Sequence, residues 1–330
     1  MRRAVTALTA ILAVAASAAP AGAERARVRV LDLASGELAG PPAREGRWGS
    51  LRWREDDLRA VLNKRRGAEI VSVSSGRTLL RLPRADDAWL GDTTVAELEG
   101  GRLRMRSLRG AVRGSRRLAF DALSATWVGN RLAIGSDDRL VLLAPDAAFV
   151  RSYRAHGAVR LSDAAAASAG RIAYTAEDDH GVIGADEPSE VRLLDTATGA
   201  QTTLLRGTRC EPGVLGATCE LLDAPAASGD QVAVVRDLNG VALLAPGAFP
   251  KEFSPAADCD GVQALAWTPD GTGLAVAYHD GSGTHIAQFP AGPMGAPPRT
   301  LANLGEVEIG KLAYSPDGAK LALTSSGYQR

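Results

Sequence analysis

The sequence predicts an all-β fold, a single seven-bladed β-propeller whose last blade is completed by N-terminal strands. Three observations carry this. The segment 264–276, Ala-Leu-Ala-Trp-Thr-Pro-Asp-Gly-Thr-Gly-Leu-Ala-Val, returns 47 residues later within 310–323 as Gly-Lys-Leu-Ala-Tyr-Ser-Pro-Asp-Gly-Ala-Lys-Leu-Ala-Leu. Trp53, Trp89 and Trp127 follow at intervals of 36 and 38 residues, a spacing that suits one four-stranded blade. Near its start the chain carries a strand pattern with no partner hairpin before it, and it ends on a unit that lacks two strands.

Each copy of the repeated segment reads as a hairpin. The first strand ends in an aromatic residue, Trp267 or Tyr314. Proline then fixes φ, Asp270 or Asp317 bonds back to the backbone, and Gly271 or Gly318 takes the positive-φ position. A hairpin this short cannot bury its own face in water, so neighbouring copies must supply the missing core.

Taken in order, residues 27–37 alternate and then turn, giving one strand and the start of another. Residues 50–82 hold a worn copy of the hairpin around Trp53, with Pro-Asp-Gly lost, followed by a second hairpin. Residues 88–113 repeat the plan in compressed form from Trp89, and residues 122–154 repeat it from Trp127. The unit at 159–206 carries an acidic insertion at 177–190. Units at 221–253 and 262–304 follow, and the last stops after two strands. The orphan pattern Val-Leu-Asp-Leu-Ala-Ser-Gly at 30–36 has the form of Leu-Leu-Asp-Thr-Ala-Thr-Gly at 193–199, the third strand and turn of the fourth unit. The N-terminus is therefore expected to complete the C-terminal blade and close the ring, which leaves only short, protected edges.

The aromatic-Ser/Thr-Pro-Asp-Gly-x-x-Leu-Ala copies starting at Trp267 and Tyr314 resemble the WD40-like (PD40) propeller repeat of the TolB family. The resemblance implies a propeller fold and the role of an exported binding platform. That family's N-terminal α/β domain has no counterpart expected here, so its role of binding a peptidoglycan-associated lipoprotein is not carried over.

Residues 1–23 read as a removable export signal: Arg2 and Arg3, an apolar run, and Ala21-Gly22-Ala23 before Glu24. The expectation is a propeller over residues 24–330, exported to the periplasm or beyond, monomeric and with no membrane span after cleavage. Formal net charge is zero, yet residues 24–117 hold 21 Arg and Lys against 13 Asp and Glu, and residues 118–330 hold 15 against 25. One arc of the ring should be basic and the other acidic. The cysteines are Cys210, Cys219 and Cys259. In an exported chain Cys210 and Cys219, bracketing a Pro/Gly-rich loop, are the simplest disulfide, and pairing of either with Cys259 is the competitor. All three are placed in connections on one face.

No Gly-x-Ser-x-Gly elbow, His-Glu-x-x-His motif, P-loop or dinucleotide fingerprint is present. Three stretches could carry a ligand. Glu177, Asp178, Asp179 and His180, with Asp186, Glu187 and Glu190, are dense in oxygen donors that suit Ca²⁺, although a solvated acidic loop has the same composition. His279, Asp280 and His285 could form a metal or acid/base site, but Asp-Gly-Ser-Gly is also what a tight hairpin needs. Arg102, Arg104 and Arg106 recur at period two and suit a carboxylate or phosphate partner. The alternative there is a wet outer strand kept from edge pairing by its charges. Nucleic acid is not expected, because no aromatic residues interleave with the arginines. Trp53, Trp89, Trp127, Trp267 and Tyr314 fall at one repeat position and are expected to pack between blades.

The reading is a non-catalytic exported protein, without a required cofactor, that binds a protein or an anionic envelope polymer. The competing class is a propeller lactonase or hydrolase with a metal in the central funnel, which needs acidic, His or Asn side chains from several blades at the axis. A structural module without a ligand is the third possibility.

Overall fold

The computed structural model describes residues 25–155, 157–162, 166–167, 170–177, 189–207, 222–291 and 297–327. The described chain is all strand and turn. β1 (Arg25–Asp32), β2 (Leu38–Ala39) and β3 (Arg44–Glu45) come first. Blade 1 is β4 (Arg47–Arg54), β5 (Asp57–Asn63), β6 (Ala68–Ser72) and β7 (Thr78–Leu82). Blade 2 is β8 (Asp87–Leu90), β9 (Thr94–Glu99), β10 (Arg102–Ser107) and β11 (Val112–Arg117). Blade 3 is β12 (Ser124–Val128), β13 (Arg131–Gly135), β14 (Arg139–Leu143) and β15 (Phe149–Arg154). Blade 4 splits its first strand into β16 (Ala158–Arg160) and β17 (Ala166–Ala167), then continues as β18 (Arg171–Glu177), β19 (Glu190–Asp195) and β20 (Gln201–Arg206). Blade 5 is β21 (Leu222–Ser228), β22 (Gln231–Arg236), β23 (Gly240–Leu244) and β24 (Lys251–Phe253). Blade 6 is β25 (Cys259–Trp267), β26 (Gly273–Asp280), β27 (Gly283–Pro290) and β28 (Arg299–Gly305). Blade 7 starts with β29 (Val307–Tyr314) and β30 (Lys320–Gly327).

Each blade is an antiparallel meander, and in blade 7 the order runs β29, β30, β1, β2. The N-terminal strand pairs with β30 from Ala26↔Ser326 to Asp32↔Lys320. The chain's ends therefore share one sheet, as the sequence pattern required. The two matching turns are built alike. Asp32 Oδ1 accepts from the N–H groups of Ala34 and Ser35, Asp195 Oδ1 accepts from those of Ala197 and Thr198, and Gly36 and Gly199 close the turns at φ 75° and 82°.

First strands meet first strands around the ring, β4 to β8 to β12 to β17 to β21 to β25 to β29 and back to β4. Between them lie seven hydrophobic clusters among the described residues, each shared by adjacent blades. A strand inside a blade is buried on both faces, so β1 serves two clusters. Val28 packs into the cluster shared with blade 1 and Leu31 into the one shared with blade 6. Isolated blades have no such cover, and the circle is the unit that buries apolar surface.

The Pro-Asp-Gly turns do what their residues dictate. The Thr268 and Ser315 hydroxyls donate to Asp270 and Asp317 at 2.6 Å, and Gly271 and Gly318 adopt φ 69° and 72°. In blade 1, where the motif is worn, Glu55 takes the positive-φ position at 53° without being glycine. Two sequence expectations need correction. Cys259 opens β25 rather than lying in a connection. The arginines 102, 104 and 106 lie on β10, the third strand of blade 2. The outer strand is β11, because the chain turns at Ser107 and Gly110 and pairs back once more. No helix among the described residues is long and apolar enough to cross a membrane.

Candidate functional site

The ring encloses a polar cavity of about 400 Å³ where the first strands of blades 1, 2, 3 and 7 begin. A second cavity of about 380 Å³ lies farther along the first strands, at Trp53, Trp267 and Tyr314. Lys311 lines both. Two first strands break their period-two alternation at the first of these cavities. β4 carries an irregularity between Trp48 and Leu51, and β29 one between Ile309 and Lys311. A bulge of this kind locally re-aims side chains, and both irregular stretches border the cavity.

Asp87 is the central ionisable group. Its Oδ1 accepts from Asn63 Nδ2 at 2.8 Å and from the Ala88 N–H at 2.8 Å. Burial pushes its carboxyl above the ordinary carboxylate range, against the pull of those two donors and of the Arg47 and Lys311 charges. Glu308 lines the same space and accepts from the Ser326 hydroxyl at 3.3 Å. Three of the lining residues each carry a buried polar atom, Trp48 Nε1, Asn63 Oδ1 and Thr324 Oγ1, with no hydrogen-bond partner among the described residues.

Acidic and amide side chains from three blades thus reach the axis. Arg47 and Lys311 stand among them, and Asn63 gives its amide to Asp87, so the set suits a hydrogen-bonding ligand better than a dication. Among the described residues no group of three or more His, Cys, Asp or Glu side chains could hold a metal ion.

The predicted His/Asp stretch forms a different network. Asp280 and His285 meet at 3.0 Å, while His279 faces Asp260 at 3.8 Å. Ser282 Oγ lies 2.9 Å from His285 Nε2, and His285 Nδ1 lies 2.7 Å from Asn303 Oδ1, the separations of a nucleophile, base and orienting group. Asp280 changes that chemistry. Its Oδ1 accepts the Ser282 hydroxyl at 2.7 Å and the Ser282 N–H at 2.8 Å. The Ser282 hydroxyl proton is thus committed to the carboxylate and is not directed at His285. The Ser282 hydroxyl and N–H hold the Asp280 carboxyl below its usual range, with His285 adding to them. The network closes the turn at 281–282.

The basic stretch divides. Arg102, Arg104 and Arg106 share one side of β10, opposite the buried Leu103 and Met105. Arg104 pairs with Glu99, and Arg106 Nε lies 2.6 Å from Glu97, a carboxylate only 2% exposed. These two arginines are engaged within their own blade. On the outer strand β11, Arg113, Arg116 and Arg117 are exposed beside Val112, and on the neighbouring outer strand β15 Phe149 and Val150 are exposed as well. The Arg116 guanidinium lies 5.5 Å from the Phe149 ring centre. None of Arg113, Arg116 and Arg117 has a carboxylate partner among the described residues.

Glu177 ends β18, and Asp178, Asp179, His180, Asp186, Glu187, Cys210 and Cys219 lie outside the described residues. Cys259 is buried and has no disulfide partner among the described residues, and burial pushes its thiol pKa up. Trp48, Asn63, Asp87 and Thr324 escaped sequence reasoning. They sit outside the repeated hairpin motif, and the irregularity between Trp48 and Leu51 leaves no mark in the apolar alternation.

No family model matches the chain, and no curated protein matches it. Solved structures do. The WD40 domain of Neurospora crassa Pan2 is similar at 11% identity and TM-score 0.55, covering 86% of this chain and 90% of its own. The Dos1 propeller is similar at 12% identity and TM-score 0.56, covering 86% and 80%. An Hsv2 from Kluyveromyces marxianus is similar at 13% identity and TM-score 0.53, covering 82% and 86%. At these identities the likeness is one of fold: this chain shares the β-propeller architecture of these neighbours.

Proposed function

We propose that this protein is an exported, non-catalytic propeller that serves as a docking platform for an acidic protein. Residues 1–23 act as the export signal, and the Pro-Asp-Gly repeats align it with TolB-family propellers. The observation that carries the reading is the outer rim of blades 2 and 3. There Arg113, Arg116 and Arg117 stand exposed, with no carboxylate partner among the described residues, beside exposed Val112, Phe149 and Val150. Arginine interleaved with aromatic and apolar side chains is the composition of a protein interface, whereas a simple polyanion needs charge alone. The net positive charge of residues 24–117 would steer such a partner to this side of the ring.

The test is capture of envelope proteins by the full chain and by a variant carrying Arg113→Glu, Arg116→Glu and Arg117→Glu. The reading expects an acidic protein captured by the parent and lost by the variant. Equal capture by both, or retention of an anionic polymer alone, would sink it. Phe149→Ala separates contact from charge, because it should weaken a protein partner and leave a polyanion unaffected.

A further inference from the structure

A cleft of about 540 Å³, within the range of small-molecule sites, lies between blades 7 and 1. The outer strand of blade 7 creates it. β2 pairs with Val30 and Leu31 and β3 with Arg25 and Ala26, while residues 40–43 between them leave the ladder, where Pro41 and Pro42 have no N–H to give it. The released segment runs beside the turn between β6 and β7. A Cβ at Gly76 would lie 3.5 Å from Pro41 Cβ, and the Arg44 guanidinium donates to the Gly76 carbonyl and, at 3.3 Å, to Thr78 Oγ1. Strand pairing at one end and Arg44 at the other thus fix this wall before any ligand arrives.

The lining keeps apolar surface open. Val30, Pro41 and Trp53 are half-buried and Pro42 is exposed, with the buried Leu58 and Val73 behind them. The Trp53 indole N–H is bonded to the Ala313 carbonyl, so the residue has its ring rather than a donor to present. The face of an indole attracts a cation. The charged lining points the same way, Asp32, Glu37 and Asp56 against a single ammonium, Lys320. Glu37 and Asp56 are exposed turn residues whose carboxylates have no hydrogen bond or ion pair among the described residues.

An anion would meet three carboxylates here, and a bare metal ion would meet apolar walls where it needs oxygen. We propose that this cleft binds a small organic cation with an apolar body, the body against Trp53 and the two prolines and the charge toward Asp32, Glu37 and Asp56. Because Glu37 and Asp56 are exposed, salt screens their share of the attraction and leaves the Trp53 contact.

The probes are benzyltrimethylammonium and 2-phenylethylammonium. As controls, 2-phenylethanol carries the body without the charge, phenylacetate reverses the charge, and methylammonium lacks the body. The Trp53 indole N–H signal of the ¹⁵N-labelled full chain, one of five and identified by its loss in Trp53→Phe, locates the binding. At least one of the two cations should shift it saturably and bind roughly tenfold more tightly than every control. Glu37→Gln combined with Asp56→Asn should weaken that binding roughly fivefold at low salt, a difference that closes at high salt. The proposal is overturned if neither cation moves the signal, if any control binds as tightly, or if the double variant binds undiminished at low salt with a native indole spectrum. Shifts of the same signal with protein concentration alone would mean that a second copy covers the cleft, and would overturn it too. None of these outcomes bears on the rim of blades 2 and 3, which the arginine variant tests separately.

Discussion

The indole Nε1 of Trp127 donates to the backbone carbonyl of Trp89 at 3.2 Å, so two residues at one repeat position on neighbouring blades are bonded directly. The pattern recurs around the ring. Trp53 Nε1 donates to the Ala313 carbonyl at 3.0 Å, and Trp267 Nε1 donates to that of Ala226 at 3.1 Å. Trp53, Trp127 and Trp267 thus pack against a neighbouring blade and satisfy a backbone acceptor on its first strand.

That arrangement makes Gly91 sensitive. A Cβ there would meet Trp127 Cδ2 at 2.7 Å, and the buried indole cannot move aside without breaking its own bond. Gly91→Ala is expected to cost about 1–3 kcal/mol by overpacking, and Trp127→Phe, beyond its loss of contact area, about 1 kcal/mol for the lost hydrogen bond. Urea denaturation of both variants checks this. A Gly91→Ala midpoint equal to the parent's would contradict the packing described.

The arginines of blade 2 should separate cleanly. Arg106→Ala leaves the Glu97 carboxylate buried without its ion pair and is expected to cost about 3 kcal/mol. The rim variant with Arg113, Arg116 and Arg117 reversed alters an exposed strand and should stay within roughly 0.5 kcal/mol of the parent per substitution. Equal costs at the two sets would mean that β10 and β11 have been assigned the wrong roles.

The carboxylates titrate with opposite signs. Asp270 and Asp317 are held below their ordinary value by the hydroxyls of Thr268 and Ser315 and by the N–H groups of Thr272 and Ala319. Their contribution to stability is complete above the ordinary carboxylate range and disappears as pH falls through the lowered folded value. Asp87 is raised by burial, so its penalty grows as pH climbs from the ordinary value through the raised one. Asp87→Asn keeps an acceptor for Asn63 and Ala88. It should therefore raise the urea midpoint at about pH 7, with the gain vanishing near about pH 3. Asp317→Asn should lower the midpoint at neutral pH and converge on the parent in acid.

The parts of this fold visible in the sequence are those fixed by local chemistry. Pro-Asp-Gly turns, the repeat tryptophans and the shared Asp-x-x-x-Gly turn at Asp32 and Asp195 each depend on a few adjacent residues, and together they gave the blade count and the closure. What stayed hidden depends on partners across strands. Nothing near Arg104 and Arg106 in sequence says that they face Glu99 and Glu97, because that register is set by the hairpin between β9 and β10. The axial groups were hidden for the same reason, since Trp48 and Thr324 line one cavity only when the N-terminal and C-terminal strands share the ring.

Closure therefore underlies both the fold and the axial cavity, and hydrogen exchange measures it without perturbing the chain. Backbone amides of β1 that bond to β30 should exchange as slowly as those of β30 itself, through opening of the whole blade. Rapid exchange across β1 while β30 stays protected on the β29 side would show that the N-terminal strand is not part of the blade, and the circular architecture would fall with it.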